Sequence, residues 1–105
     1  EEFAAGRRER YDVAVSRAVA RLNVLCELCL PLVKPGGLFL AMKGAAAEEE
    51  AAEAAQAVAL LGGRVERIDQ YALGDAAHRV VVVRKERPTP RRYPRRYANI
   101  KRQPL

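Results

Sequence analysis

Apolar residues recur along the chain in two alternating rhythms. Tyr11 to Ser16 is a short apolar run behind a charged stretch, and it predicts a strand. Leu22, Leu25, Cys29 and Leu32, with Leu28 beside them, recur every three or four positions and predict an amphipathic helix from about Ala20 to Val33. Pro31 tightens the last turn of that helix, and Pro35-Gly36-Gly37 stops it and turns the chain. Leu38 to Met42 then reads as an apolar strand. The alanine-rich stretch from Glu48 to Leu61 reads as a second helix, with Glu48, Glu49 and Glu50 placed to suit its positive N-terminus. Gly62-Gly63 ends it. Val65 to Tyr71 is a half-exposed strand interrupted by Glu66, Arg67 and Asp69. Leu73 to Ala77 is a turn, and His78 to Arg84 is a last strand. Its four consecutive valines, Val80 to Val83, mark a strand buried on both faces.

The order β-α-β-α-β-β predicts an α/β fold with a mostly parallel sheet and right-handed crossovers. The link before the last strand is too short for a crossover, so that strand pairs antiparallel. Val13 and Val15 are too apolar for an uncovered edge, and nothing before them supplies a covering strand. The chain therefore reads as the second half of a larger α/β domain, or as one that meets a partner along this edge.

Charge divides the sequence. Residues 1–83 carry 10 basic and 12 acidic side chains, whereas residues 84–105 carry 9 basic ones and a single acid, Glu86. Four of the six prolines also fall in the last 22 residues. The division expected is residues 1–87 as the folded body and 88–105 as a basic, proline-containing tail. Such a tail buries little, and its cations suit a polyanion better than solvent alone. Arg91, Arg92, Arg95, Arg96, Lys101 and Arg102 are the candidate polyanion contacts, with Tyr93 and Tyr97 able to stack on bases or pack back. No apolar run approaches 18 residues, which excludes a helical membrane span of that length. Glu1-Glu2 is a poor opening for a signal peptide, and two cysteines make no disulfide framework, so a cytoplasmic location is expected.

Few motifs carry chemistry. No G-x-G-x-x-G follows a strand, and Gly36-Gly37 and Gly62-Gly63 both come after helices, as structural turns do. Cys26 and Cys29 supply two ligands where zinc wants four, and they lie within a helix, so they read as core thiols and no metal is expected. Ser16 has no placed histidine, which leaves no hydrolase triad, and His78 opens a strand. Arg17 and Lys43 are more informative. Each follows a strand at its carboxyl end, where ligands of open α/β sheets bind. The two are expected to converge on one crevice. The plainer alternatives are a surface arginine paired with Asp12 or Glu9, and a lysine that only caps its strand.

The segment Tyr11 to Leu22, YDVAVSRAVARL, resembles the bacterial 16S ribosomal RNA guanine N7-methyltransferases, the glucose-inhibited division protein B family. Supporting stretches are Leu28 to Gly37, Leu40 to Gly44, and the tail from Thr89 to Arg96. The resemblance implies the C-terminal half of a Rossmann-like fold that binds S-adenosyl-L-methionine. Residues 1–87 would supply strands four to seven, the seventh inserted antiparallel between the fifth and sixth. It implies that Glu1 and Arg17 contact the cofactor and that Lys43 faces the same crevice. It also implies 16S ribosomal RNA, or the small ribosomal subunit, as partner, together with a missing N-terminal half that holds a Gly-rich cofactor loop. Without that half the fragment is expected to be inactive. Two other readings stand beside this enzyme: a non-catalytic RNA-binding module that uses the basic tail, and a module that self-associates through the open sheet edge.

Overall fold

The computed structural model describes residues 8–17, 20–44, 46–73 and 76–105. Strand β1 (Tyr11–Arg17) leads to helix α1 (Leu22–Cys29) and a tight turn of 3-10 helix (Leu30–Leu32). Strand β2 (Val33–Lys43), helix α2 (Ala47–Leu60), strands β3 (Gly63–Leu73) and β4 (Ala76–Lys85) and the short helix α3 (Tyr97–Arg102) follow.

The four strands lie in the order β1-β2-β4-β3. The last strand does insert antiparallel between its two predecessors, but the sheet is not mostly parallel. Among the described residues only the β1–β2 pairing is parallel, while β4 pairs antiparallel with both β2 and β3. A reversed strand placed inside the sheet, not at its rim, turns both of its pairings antiparallel.

Helix α1 is shorter than its apolar spacing suggests. Pro31 has no N–H to continue the helical ladder, and the chain tightens into the 3-10 turn. Val33 already pairs with Tyr11, and the next pair in register is Val13 with Leu38. Pro35-Gly36-Gly37 is therefore an irregularity within β2, not a turn ahead of it. Gly36 has φ +92°, and a Cβ on Gly37 would lie 2.4 Å from the Asp12 carbonyl oxygen of β1.

Phe39, Ala41, Val81 and Val83 alternate onto the sheet face that the helices cover. Leu22, Leu25 and Cys26 of α1 meet them, as do Ala47, Ala51, Ala54 and Val58 of α2. The alanines let α2 sit close to the sheet. The opposite face is open at β1, where Val13 is 48% exposed and Val15 60%, whereas Val82 farther into the sheet on that face is buried.

The tail is not a solvated arm. Tyr93 is buried against the core, Ile100 of α3 is fully buried, and Thr89 Oγ1 donates to the Leu61 carbonyl at 2.6 Å. Its few apolar side chains are spaced so that each anchors a stretch of charge. The tail starts at Gly62, whose carbonyl accepts the N–H groups of Glu86 (2.8 Å) and Arg87 (3.0 Å). Gly62 has φ +94°, and a Cβ there would lie 2.4 Å from the Arg87 carbonyl oxygen. Gly62→Ala is expected to destabilise the fold by at least about 1–3 kcal/mol. Chemical denaturation measures this, and an unchanged midpoint would contradict the fit.

Candidate cofactor end and nucleic-acid surface

The parallel strands β1 and β2 end side by side, with Arg17 in register with Met42. The pleat puts these two on one face and Lys43, the next residue, on the other. Arg17 is exposed, and among the described residues no carboxylate pairs with it. Lys43 is buried on the helix-covered face. Its Nζ donates to the Ala20 carbonyl at 2.6 Å and pairs with Glu50 Oε1 at 2.8 Å. The expected convergence on one crevice thus holds for the end of the sheet but not for its face. Lys43 holds the backbone that follows Arg17. Glu1, the third expected cofactor contact, lies outside the described residues.

Glu50 does a second job at this end. Its Oε1 accepts the Leu22 N–H at 2.9 Å, capping the start of α1. Its neighbours on α2 are tied down as well. Glu53 takes both Arg21 Nε (2.7 Å) and a terminal Arg21 nitrogen (2.8 Å). Glu48 lies 2.9 Å from Arg79 Nε, close enough for an ion pair, although that N–H makes no hydrogen bond. The acidic first turns of α2 therefore fasten the helix to β2, β4 and the entry of α1. Sequence reading saw only their fit to the helix dipole.

The cations of residues 84–105 divide into two sets. Lys85 Nζ is fully buried, donates to the Leu30 and Val33 carbonyls at 2.7 Å each, and lies 3.0 Å from Glu9 Oε2. Burial pulls the Lys85 pKa down and Glu9 opposes that pull. Arg84 pairs with Glu66 at 2.8 Å. Arg95 grips Glu27 through its backbone N–H (2.8 Å), Nε (2.9 Å) and a terminal nitrogen (2.8 Å). The Glu27 side chain is only 1% exposed. An acid on the apolar stripe of α1 was the available signal for such a partner. Arg95 is thus committed to the fold, while Arg91, Arg92, Arg96, Lys101 and Arg102 stay exposed, and among the described residues none has a carboxylate partner. Near the same end, the Arg8 guanidinium donates to the carbonyls of Thr89, Pro90 and Tyr93.

The thiols take no part. Cys26 is fully buried and burial pushes its pKa far up, while the half-buried Cys29 is pushed up to about 11. Both stay protonated at neutral pH. No group of three or more metal-ligating side chains occurs among the described residues, and none of the described helices is long and apolar enough to cross a membrane.

The mixed sheet, with both long helices on one side, has the architecture of a Rossmann-like methyltransferase fold. Among solved structures the chain resembles M1.HpyAVI, with TM-score 0.58 and 13% identity over 83% of this chain and 50% of that one. It also resembles a T. thermophilus 16S rRNA N2 methyltransferase in complex with AdoMet and guanosine, with TM-score 0.51 and 24% identity over 79% and 22%. At these identities the likeness is one of fold.

Sequence comparison is sharper. The chain belongs to the GidB family, rRNA small subunit methyltransferase G, whose profile matches residues 1–80. It is 52% identical over 100 residues to the ribosomal RNA small subunit methyltransferase G of Symbiobacterium thermophilum, covering 93% of this chain and 41% of that protein. The Bacillus cytotoxicus relative is 50% identical over 91 residues (85% and 38%), and the Staphylococcus carnosus one 49% over 100 (93% and 42%). The chain thus spans about two fifths of the length of these curated relatives.

Two predictions follow from the ion pairs. Arg95→Ala leaves the Glu27 carboxylate buried without its partner and should cost about 3 kcal/mol. A loss under about 1 kcal/mol in denaturant titration would show the pair to be dispensable. Acid should also weaken the fold. The Arg21 hydrogen bond holds Glu53, and the Arg84 hydrogen bond holds Glu66, below the ordinary carboxyl value of 4.5. Burial works to raise Glu9, but the Thr89 N–H and the Lys85 ammonium outweigh it and lower that carboxyl too. Carboxyls with lowered folded values bind fewer protons than the unfolded chain, so their contribution is full above 4.5 and disappears as pH falls through the folded values. The melting temperature should drop below pH 4.5, and Glu53→Gln with Glu66→Gln should shallow that drop.

Proposed function

We propose that this chain is the C-terminal part of an S-adenosyl-L-methionine-dependent methyltransferase that modifies N7 of a guanine in 16S ribosomal RNA, acting in the cytoplasm on that RNA or on the small subunit. In this reading residues 1–87 complete the methyltransferase domain and 88–105 form a basic tail packed on it. Family membership supports the activity. The observation that carries it to a site is the exposed Arg17, with no carboxylate partner among the described residues, at the carboxyl end of β1 beside β2.

The residues present fit the cofactor at this end. The Arg17 guanidinium is available to a carboxylate such as that of the methionine moiety. Lys43 acts as a positioning residue, since it fixes the Ala20 carbonyl and, through Glu50, the start of α1. Glu1 is proposed as a further contact. When bound, the cofactor supplies a sulfonium methyl group. Guanine N7 offers a free lone pair even within a base pair, so the protein removes no proton and contributes position and charge. The face bearing Val13 and Val15 is where an N-terminal half of the same protein, with its Gly-rich loop, would pack; without it, this face and the β1 edge are open to a second copy.

The test is methyl transfer to 16S ribosomal RNA by the complete protein, with the product identified by nucleoside mass spectrometry. The expected product is 7-methylguanosine. Arg17→Ala should raise the KM for S-adenosyl-L-methionine on the order of tenfold, the loss of one charge-assisted hydrogen bond. Methylation of another atom would overturn the reaction assigned, and an unchanged KM would remove Arg17 from the site.

A further inference from the structure

The reversed β4 delivers the tail to the far end of the sheet from Arg17. Lys85 lies against Val33 at the amino end of β2, and Arg87 against Gly62 at the carboxyl end of α2. The 14 residues of α2 put this end roughly 20 Å from the Lys43 end. A hollow of about 350 Å³ opens there. Leu60, Pro88 and Pro90 give it an apolar wall, Gln56 an amide, and Arg87 and Arg92 two guanidiniums.

The hollow has features of a built site. Leu60 is 40% exposed, although it is a large apolar side chain on an otherwise well-packed helix. Arg87 is held by the Ala59 carbonyl at 2.6 Å, which also offsets the negative end of the α2 dipole. Arg92 is held over the Tyr93 ring, 5.0 Å from its centroid. Among the described residues no carboxylate pairs with either arginine. A second hollow shares Pro88 and Pro90 and is lined by Arg8, Glu9, Thr89 and Arg91; Glu9 there is already paired with Lys85.

We propose that this hollow binds a nucleotide of single-stranded RNA. One base would lie against Leu60 and the two prolines, within reach of the Gln56 amide, and the flanking phosphates would face Arg87, Arg91 and Arg92. Apolar surface combined with fixed guanidiniums suits a base and its phosphates better than it suits an acidic peptide, which offers no flat apolar face. The inference rests on the RNA substrate proposed above and extends it, placing an RNA contact at the opposite end of the sheet from methyl transfer.

Binding of a fluorescein-labelled uridine octamer to the complete protein tests it, since this probe contains no guanine to methylate. Arg92→Ala and Leu60→Glu change exposed positions and should each weaken binding by about tenfold. Arg92→Ala should also reduce the slope of log K against log salt by about 0.7. Lys34→Ala removes one positive charge outside the hollow, from a lysine paired with Asp12, and should change affinity less than threefold. Affinity within twofold of wild type for Arg92→Ala and Leu60→Glu would overturn the site, as would an equal loss in Lys34→Ala, which would indicate a diffuse field. If the octamer follows the expected pattern but the protein does not methylate ribosomal RNA, the reaction proposed above fails and the hollow stands.

Discussion

The valine strand reversed within the sheet decides where everything else lies. Val81, Val82 and Val83 are at most 2% exposed, and β4 is the strand through which β3 joins β2. Running against its neighbours, it leaves the sheet at the amino end of β2. The basic tail therefore begins far from Arg17, and Lys85 arrives as a buried cation that needs partners at once. It finds them in Glu9 and in the carbonyls of Leu30 and Val33. One strand direction thus separates the end that carries Arg17, proposed to meet the cofactor, from an end rich in exposed arginine.

Charge finishes what the apolar core begins. A core of alanines on α2 gives close packing but little grip, because each alanine buries little surface. The grip comes from Glu48, Glu50 and Glu53, each matched to a cation on a different element. The tail repeats the device with Arg95 on Glu27. The Glu53–Arg21 and Glu48–Arg79 pairs are partly exposed, whereas Glu50–Lys43 and Glu27–Arg95 are mostly buried; buried pairs contribute little net stability compared with apolar packing, but they tolerate few alternative arrangements. They fix which backbone stands next to Arg17 and which arginines remain available outside.

Much of this was legible in the residues. The apolar rhythm located the two long helices and four strands of the described body, though not the 3-10 turn at Leu30–Leu32 or the early start of β2, and the four valines marked β4 as interior. Sheet direction was misjudged, because strand alternation signals crossovers but does not weigh one central reversed strand against them. Pro35-Gly36-Gly37 looked like a turn because its glycines suit one. Only the register shows that Gly37 serves a close approach to β1. Long-range ion pairs were not legible as pairs: nothing local to Lys43 points to Glu50, and although Glu27 on an apolar stripe signals the need for a cation, nothing near Arg95 names it as that cation. Charge density gave the tail its polyanion reading, yet density does not tell Arg95, held inside, from Arg92, held outside. The hollow at Leu60 was invisible, since it forms between a helix end and a segment nearly thirty positions later.

On this reading the two ends of the sheet do separate work. A double-mutant cycle of Arg17→Ala and Arg92→Ala in the complete protein tests it, with affinity for S-adenosyl-L-methionine and for the uridine octamer measured separately. Independent ends predict that each substitution weakens one ligand only and that the effects add to within about 0.5 kcal/mol. Loss of both ligands from either single change, or strong coupling between the two, would show that the ends form one site.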